Sequence, residues 1–374
     1  MRMFGVEEEL LLVDASELEP VPWGWKVAQR HGPRPETGHE MTAEFQQEQL
    51  EIVYPPQLTL DDQLECLRVG RSWADDAASA FGARAVALAT TPGAVTPHLV
   101  PNPRFQRIAE WTGITAVQQL TGGMHVHVDV ASRAEAVAVL DRIRVWLPTL
   151  LALSSNSPFW NGSDTAFHSY RNQLWSRWPN TGPPDAFGSI ESYDRQRESL
   201  LRSGVPLDEG MLYSDARLCD PHSTLEIRVT DVCLYATHAA VLAALIRALV
   251  ETAARQWSAG APPLQVETAV LRAWTWRASR CGLGRALVSP HTGFPGPAAE
   301  VVSELLEMVT PVLVEYGELE QVTGMVAEIL RTGNGAQHQR EAYVNAGDVH
   351  DVVAAALYAT HEVSDKTPVN VGED

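Results

Sequence analysis

Three segments of the chain alternate apolar and polar residues with a period of two, and their polar positions carry groups that are costly to bury without partners. In GVEEELLL, Glu7 and Glu9 project from one face of a strand, while Glu8 points the other way with Val6 and Leu10. In LTGGMHVHVDV, Met124, Val126, Val128 and Val130 oppose His125, His127 and Asp129. In STLEIRVTDV, Leu225, Ile227 and Val229 oppose Glu226, Arg228 and Thr230. Three such strands together describe a sheet with one face on the core and the other lining a polar pocket. Taken singly, each has a plainer account: a solvated edge strand for the glutamates, hydrogen-bonded imidazoles for the histidines, an ordinary cross-strand pair for Glu226 and Arg228.

The rest of the pattern is α+β. Strands are predicted over residues 4–13, 84–89, 122–130, 212–218 and 224–232, and helices over 61–82, 104–111, 132–153, 237–258, 264–281, 297–331 and 336–361. Ser132 with Glu135 has the spacing of a capping box, and Pro311 predicts a break in the helix that contains it. Strands crowd the first two thirds and helices the last, which favours a mainly antiparallel sheet over a doubly wound parallel one. Residues 156–184 are too polar for a core and too aromatic for a linker, so an ordered loop is expected, its rings packing it down or stacking on a partner. No Pro/Gly/Ser-rich linker separates Glu7 from Glu226, and residues 1–374 are read as one domain.

A formal net charge of −19 disfavours nucleic acid and anionic membranes as partners, although local arginines with metal ions can still hold a nucleotide. The apolar run 241–250 contains Arg247 and is read as a core helix rather than a membrane span. Four cysteines without C-x-x-C spacing suggest reduced thiols and a cytoplasmic setting.

Glu7 and Glu9 side by side repel unless protonated or bridged, and paired hard oxygens suit Mg²⁺. In TAEFQQEQLEIVYPP, Glu44, Glu48 and Glu51 follow at separations of four and three, as on one helical face, a spacing equally compatible with solvated glutamates. H-x-H-x-D is similar to a run in zinc hydrolases of the metallo-β-lactamase type, which would place His125, His127 and Asp129 on zinc, but Val130 stands where those enzymes have a further histidine. There is no G-x-x-x-x-G-K-[ST] phosphate loop and no Ser-His-Asp or Cys-His signature.

In order along the chain, GVEEELLLVD, TAEFQQEQLEIVYPP, TGGMHVHVDV, the loop SSNSPFWNGSDTAFHSYRNQLWSRWPNTGPP, LEIRVTDV and RTGNGAQHQREAY resemble the type 2 glutamate-cysteine ligases, also called YbdK-type carboxylate-amine ligases. That resemblance implies a glutamine-synthetase-like fold, an antiparallel sheet curved into a funnel and backed by helices. It further implies ATP and two or three Mg²⁺ ions, with Mn²⁺ as a substitute. Carried over residue by residue, Glu7, Glu9, Glu44, Glu51, His125 and Glu226 fall where the family places metal ligands, and Arg228 where an arginine meets the transferred phosphate. Arg171 in SYRN resembles a substrate-carboxylate arginine, and His127, where some relatives have asparagine, is assigned to the pocket wall. The implied reaction joins a carboxylate, as in L-glutamate, to an amine, as in L-cysteine, with a homodimer suggested by analogy. Two rival expectations are the zinc hydrolase and a ligand-binding homologue without turnover.

Overall fold

The computed structural model describes residues 1–34, 36–219 and 223–361, so residues 362–374 of the expected domain lie outside the described residues. Its central sheet has seven strands: β1 (Phe4–Asp14), β2 (Glu40–Ala43), β3 (Gln49–Val53), β4 (Ala83–Val86), β5 (Met124–Asp129), β6 (Ala216–Cys219) and β7 (Thr224–Ile227). The order is β2-β3-β1-β5-β7-β6, with β4 beside the last residues of β1 on the edge that β5 occupies further back. Every pairing in it is antiparallel, as the sequence pattern suggested.

Alternation decides which face goes inward. Val6, Leu10, Leu50, Ile52, Met124, Val126, Val128, Leu225 and Ile227 are buried and belong to one hydrophobic cluster with the helices Leu60–Ser79 and Ala236–Ser258. The second of these helices is long and apolar enough to cross a membrane, yet it is packed inside the protein, and its Arg247 is fully buried. The Arg247 guanidinium pairs with Glu318 and stacks 4.4 Å from the Phe4 ring centre, so the cation is answered within the core.

Four expectations are corrected. The segment of Glu44, Glu48 and Glu51 is no helix but the β2–β3 hairpin, in which strand parity and not a helical face sets where each side chain points. The predicted helix 132–153 is two, Arg133–Ile143 and Leu147–Ser154, with Pro148 starting the second; Ser132 does cap the first, accepting from the Glu135 amide at 3.1 Å. Pro311 does not break its helix, which runs through Ala298–Tyr316 until Gly317 at φ 73°. Pro311 and Glu307 are both exposed, so the carbonyl freed by the proline faces water. The last predicted helix divides at Gly347 (φ 84°) into Gly335–Ala346 and Val349–Thr360.

Glu8, on the core face of β1, is fully buried and clamped by Arg71, with Nε at 2.9 Å and Nη2 at 2.6 Å, and by the Tyr54 hydroxyl at 2.8 Å. Arg71 also donates to the carbonyls of Cys233 and Leu234, tying the Leu60–Ser79 helix to the sheet and to the chain beyond β7. Replacing Arg71 by Met should therefore cost about 3 kcal/mol or more, because it strands a buried carboxylate. Equilibrium urea unfolding checks this; a loss under about 1 kcal/mol would mean that the pair is incidental.

Candidate functional site

The sheet register turns the sequence spacing into a row of polar groups across the opposite face. Glu9 stands across from Glu51, Glu7 from His125, His127 from Glu226, and Glu226 from Arg217. Glu44, just past the end of β2, joins the row. These side chains line a cavity of about 280 Å³, closed on another side by Phe45, Phe105, Trp175, Trp178 and Tyr213. The rings pack edge-on or tilted at 5.1–6.0 Å between centres, and Trp178 is fixed by its Nε1 donating to Gln119 at 2.8 Å.

The six expected ligands come together. Within 4.8 Å of one another lie three overlapping sets of donor atoms: Glu7, His127 and Glu226; Glu7, Glu51 and His125; Glu9, Glu44 and Glu51. His127, expected only as pocket wall, is thus grouped with two carboxylates, its Nε2 3.3 Å from Glu7. Asp129 belongs to none of these sets among the described residues, so the zinc triad does not assemble. Glu48 lies elsewhere; its carboxylate is 2.6 Å from His98 Nδ1 and accepts from the His98 amide at 3.0 Å.

The charges are crowded and unevenly answered. Burial, with Glu7 and Glu9 alongside, pushes Glu51 up to about 8 despite the Thr42 hydroxyl at 2.7 Å, and burial beside Glu9 and Glu51 raises Glu44 well above the carboxylate range. Burial opposes ionisation of Glu7 too, but contacts with His125 and His127 hold it well below that range. Glu226 is likewise kept ionised against burial by Arg228 and Arg217, whose Nε lies at 2.6 Å. His125 is driven toward its neutral form by burial and by Arg228. Its Nδ1 is 3.2 Å from Glu7, while its buried Nε2 has no hydrogen-bond partner. A neutral imidazole donating from Nδ1 offers the Nε2 lone pair to a cation. Carboxylates that repel one another and an orphaned imidazole nitrogen are what a divalent-cation cluster would satisfy.

Arg228 lines the main cavity, but Arg171 does not; its guanidinium sits in a small recess beyond Trp175, Tyr213 and Arg228. A Cβ on Gly123 would lie 2.3 Å from Arg171 Nη2, which accounts for the bare backbone in TGGMH. Sequence reading singled out the loop that carries Trp175 and Trp178 but passed over Arg104, Arg217 and the other rings of the wall. Arg217 was open to discovery, since it alternates with buried Ala216 and Leu218 in SDARLC; Phe45, Phe105 and Tyr213 meet only in the folded chain.

The family model described as glutamate-cysteine ligase family 2 matches residues 3–355. A protein of Paenarthrobacter aurescens (strain TC1) carrying the name glutamate–cysteine ligase 2-1 is 45% identical over 372 residues, covering 98% of this chain and 97% of that one. A protein of Streptomyces coelicolor carrying the name glutamate–cysteine ligase 2 is 45% identical over 361 residues, covering 96% and 99%. Among solved structures, the bifunctional glutathione synthetase of Pasteurella multocida superposes with a TM-score of 0.69 at 18% identity, over 96% of this chain and 52% of that longer one. The glutamate–cysteine ligase of Francisella tularensis, solved with AMP, gives 0.64 at 14% identity, over 97% and 89%. At such identities these two structures speak to the fold, which is the glutamine-synthetase-like one. With a family match over nearly its whole length and close relatives of equal size, the chain belongs to glutamate-cysteine ligase family 2, the ATP-dependent ligases that form a carbon–nitrogen bond.

Proposed function

We propose that the chain activates the γ-carboxylate of L-glutamate with ATP as an acyl phosphate and joins it to an amine, with L-cysteine as the acceptor suggested by the names of its relatives. The observation that carries this reading is the convergence of Glu7, Glu9, Glu44, Glu51, His125 and Glu226 on one cavity beside Arg228. A carboxylate is a poor electrophile, and its condensation with an amine in water is uphill. A carboxylate oxygen first takes the γ-phosphoryl group of ATP, releasing ADP and making that oxygen part of a phosphate leaving group, after which the amine attacks the carbonyl carbon, loses a proton and phosphate departs.

Those six residues would hold two or three Mg²⁺ ions, or Mn²⁺ in their place, which would neutralise phosphate oxygens during transfer. Arg228, just past the end of β7 and fixed by Glu226 of that strand, donates to the phosphoryl group as its charge spreads. Arg171 faces the carboxylate of the acid substrate that does not react. The wall of Phe45, Phe105, Trp175, Trp178 and Tyr213 keeps water from the acyl phosphate, which would otherwise hydrolyse. No protein nucleophile enters the sequence of steps.

Two measurements test this. Titration of Mn²⁺ followed by electron paramagnetic resonance should show binding weakened roughly tenfold or more by Glu51→Gln, and not by Glu48→Gln, whose carboxylate serves His98. Equal losses in both variants would dissolve the proposed ligand set. In a coupled assay, ADP formation should require both a carboxylate and an amine. Glu226→Gln should abolish it, and Arg228→Lys should lower kcat by about a hundredfold, because a point charge cannot replace a forked donor. Near-normal kcat in Arg228→Lys would remove that arginine from phosphoryl transfer.

A further inference from the structure

The recess that holds Arg171 has a volume of about 20 Å³, room for one water-sized group, and it shares Trp175, Tyr213 and Arg228 with the main cavity. Its far wall is formed by Asp215, which directly precedes β6 and is only 8% exposed. The backbone there is pinned on both sides: the Asp215 amide donates to the Gly182 carbonyl at 2.9 Å, and its carbonyl accepts from the Arg228 amide at 2.8 Å. Yet the buried Oδ2 has no hydrogen-bond partner. Arg171, Arg272 and Arg228 are near enough to favour its charge, but burial prevails and pushes this acid up to about 7.

Arg171 is in the mirror situation. It is 4% exposed, its Nε has no partner, and its terminal nitrogens reach the carbonyls of Val229 and Arg228 only at 3.4 and 3.3 Å. Asp231, 3.9 Å away, is committed to the Asn156 amide and to the hydroxyls of Ser157 and Ser169 at 2.7–2.8 Å. One buried carboxyl group and one buried guanidinium, each with an unused hydrogen-bonding position, thus wall the same small space.

We propose that Asp215 is a specificity-determining residue that receives the α-ammonium of the acid substrate while Arg171 takes the adjacent α-carboxylate, so that the enzyme selects α-amino acids over simple carboxylic acids. The proposal rests on the ligase reading above and adds to it a residue and a discrimination. A site whose buried polar groups lose their partners rejects an analogue lacking the matching group far more strongly than an apolar pocket can.

The test compares L-glutamate with glutarate, which lacks only the ammonium, in ATP-dependent ADP formation with a fixed amine. Wild-type protein should favour L-glutamate by about a hundredfold or more in kcat/KM, and Asp215→Asn should reduce that ratio to under about ten, mainly through KM for L-glutamate. A ratio that Asp215→Asn leaves unchanged, or an equal loss with both acids, would mark Asp215 as merely structural and overturn the proposal. Calorimetric binding to the wild-type protein gives a reading that does not depend on the variant folding or on turnover. L-Glutamate should bind, whereas N-acetyl-L-glutamate, uncharged at nitrogen and too large for the recess, should not. Affinities within about threefold would refute the ammonium site even with catalysis intact. Absence of ADP formation with any acid, alongside selective L-glutamate binding, would instead count against the ligase reading while upholding the recess.

Discussion

Three consecutive glutamates, Glu8 and Glu9 buried and Glu7 half-buried, can share one strand only because the pleat sends neighbours to opposite faces, where each meets a different answer. Glu8 goes to the core and is neutralised by Arg71 and Tyr54. Glu9 accepts from the Gly123 amide at 2.7 Å, and Glu7 faces His125 and His127. The strand is thus fastened to the helical layer by one carboxylate and given its cavity-lining face by the other two. A strand with all three on one side would place three like charges together with no room for the cations that answer them.

The same division explains how so acidic a chain can take a polyanion. Arg104, Arg217 and Arg228 line the cavity with the glutamates, so the local balance of charge differs from that of the surface. The loop that brings Trp175, Trp178 and Arg171 to the site is held by its first residues. Asn156 donates to the carbonyls of Ala87 and Val232 and accepts from Gln339, and a Cβ on Gly335 would lie 2.0 Å from its Oδ1. The Gly-rich turn near the C-terminus, one of the segments that carry the family resemblance, therefore anchors the loop from behind, and among the described residues it does not line the cavity.

Much of the site was legible from residue order because strands declare their two faces in a period of two. Glu7 with Glu9, His125 with His127, and Glu226 with Arg228 could each be assigned to a common face before any fold was known. Glu44 and Glu51 were picked for the right place on a wrong geometry: EFQQEQ has no Gly, Pro or Asn to announce a turn, so the hairpin between β2 and β3 resembled a helical face. Glu48 shows the cost of that misreading, since its partner His98 lies in a loop fifty residues away in the chain. Asp215 was silent for a different reason. Its interest lies in lacking a partner, and a missing contact leaves no mark on spacing or composition.

Because the donor atoms come from β1, β3, β5 and β7 and from the end of β2, their positions depend on the hydrogen-bond register between strands. A single-residue insertion in β1 would exchange Glu7 and Glu9 for Glu8 and hand a carboxylate to the core in place of a leucine. Divergence by gain or loss of residues is thereby barred from the sheet. It is left to connecting segments such as 156–184 and 205–215, which shape the aromatic wall and the recess, so the lining of the cavity can drift among descendants while the row of carboxylates and imidazoles on the sheet stays fixed.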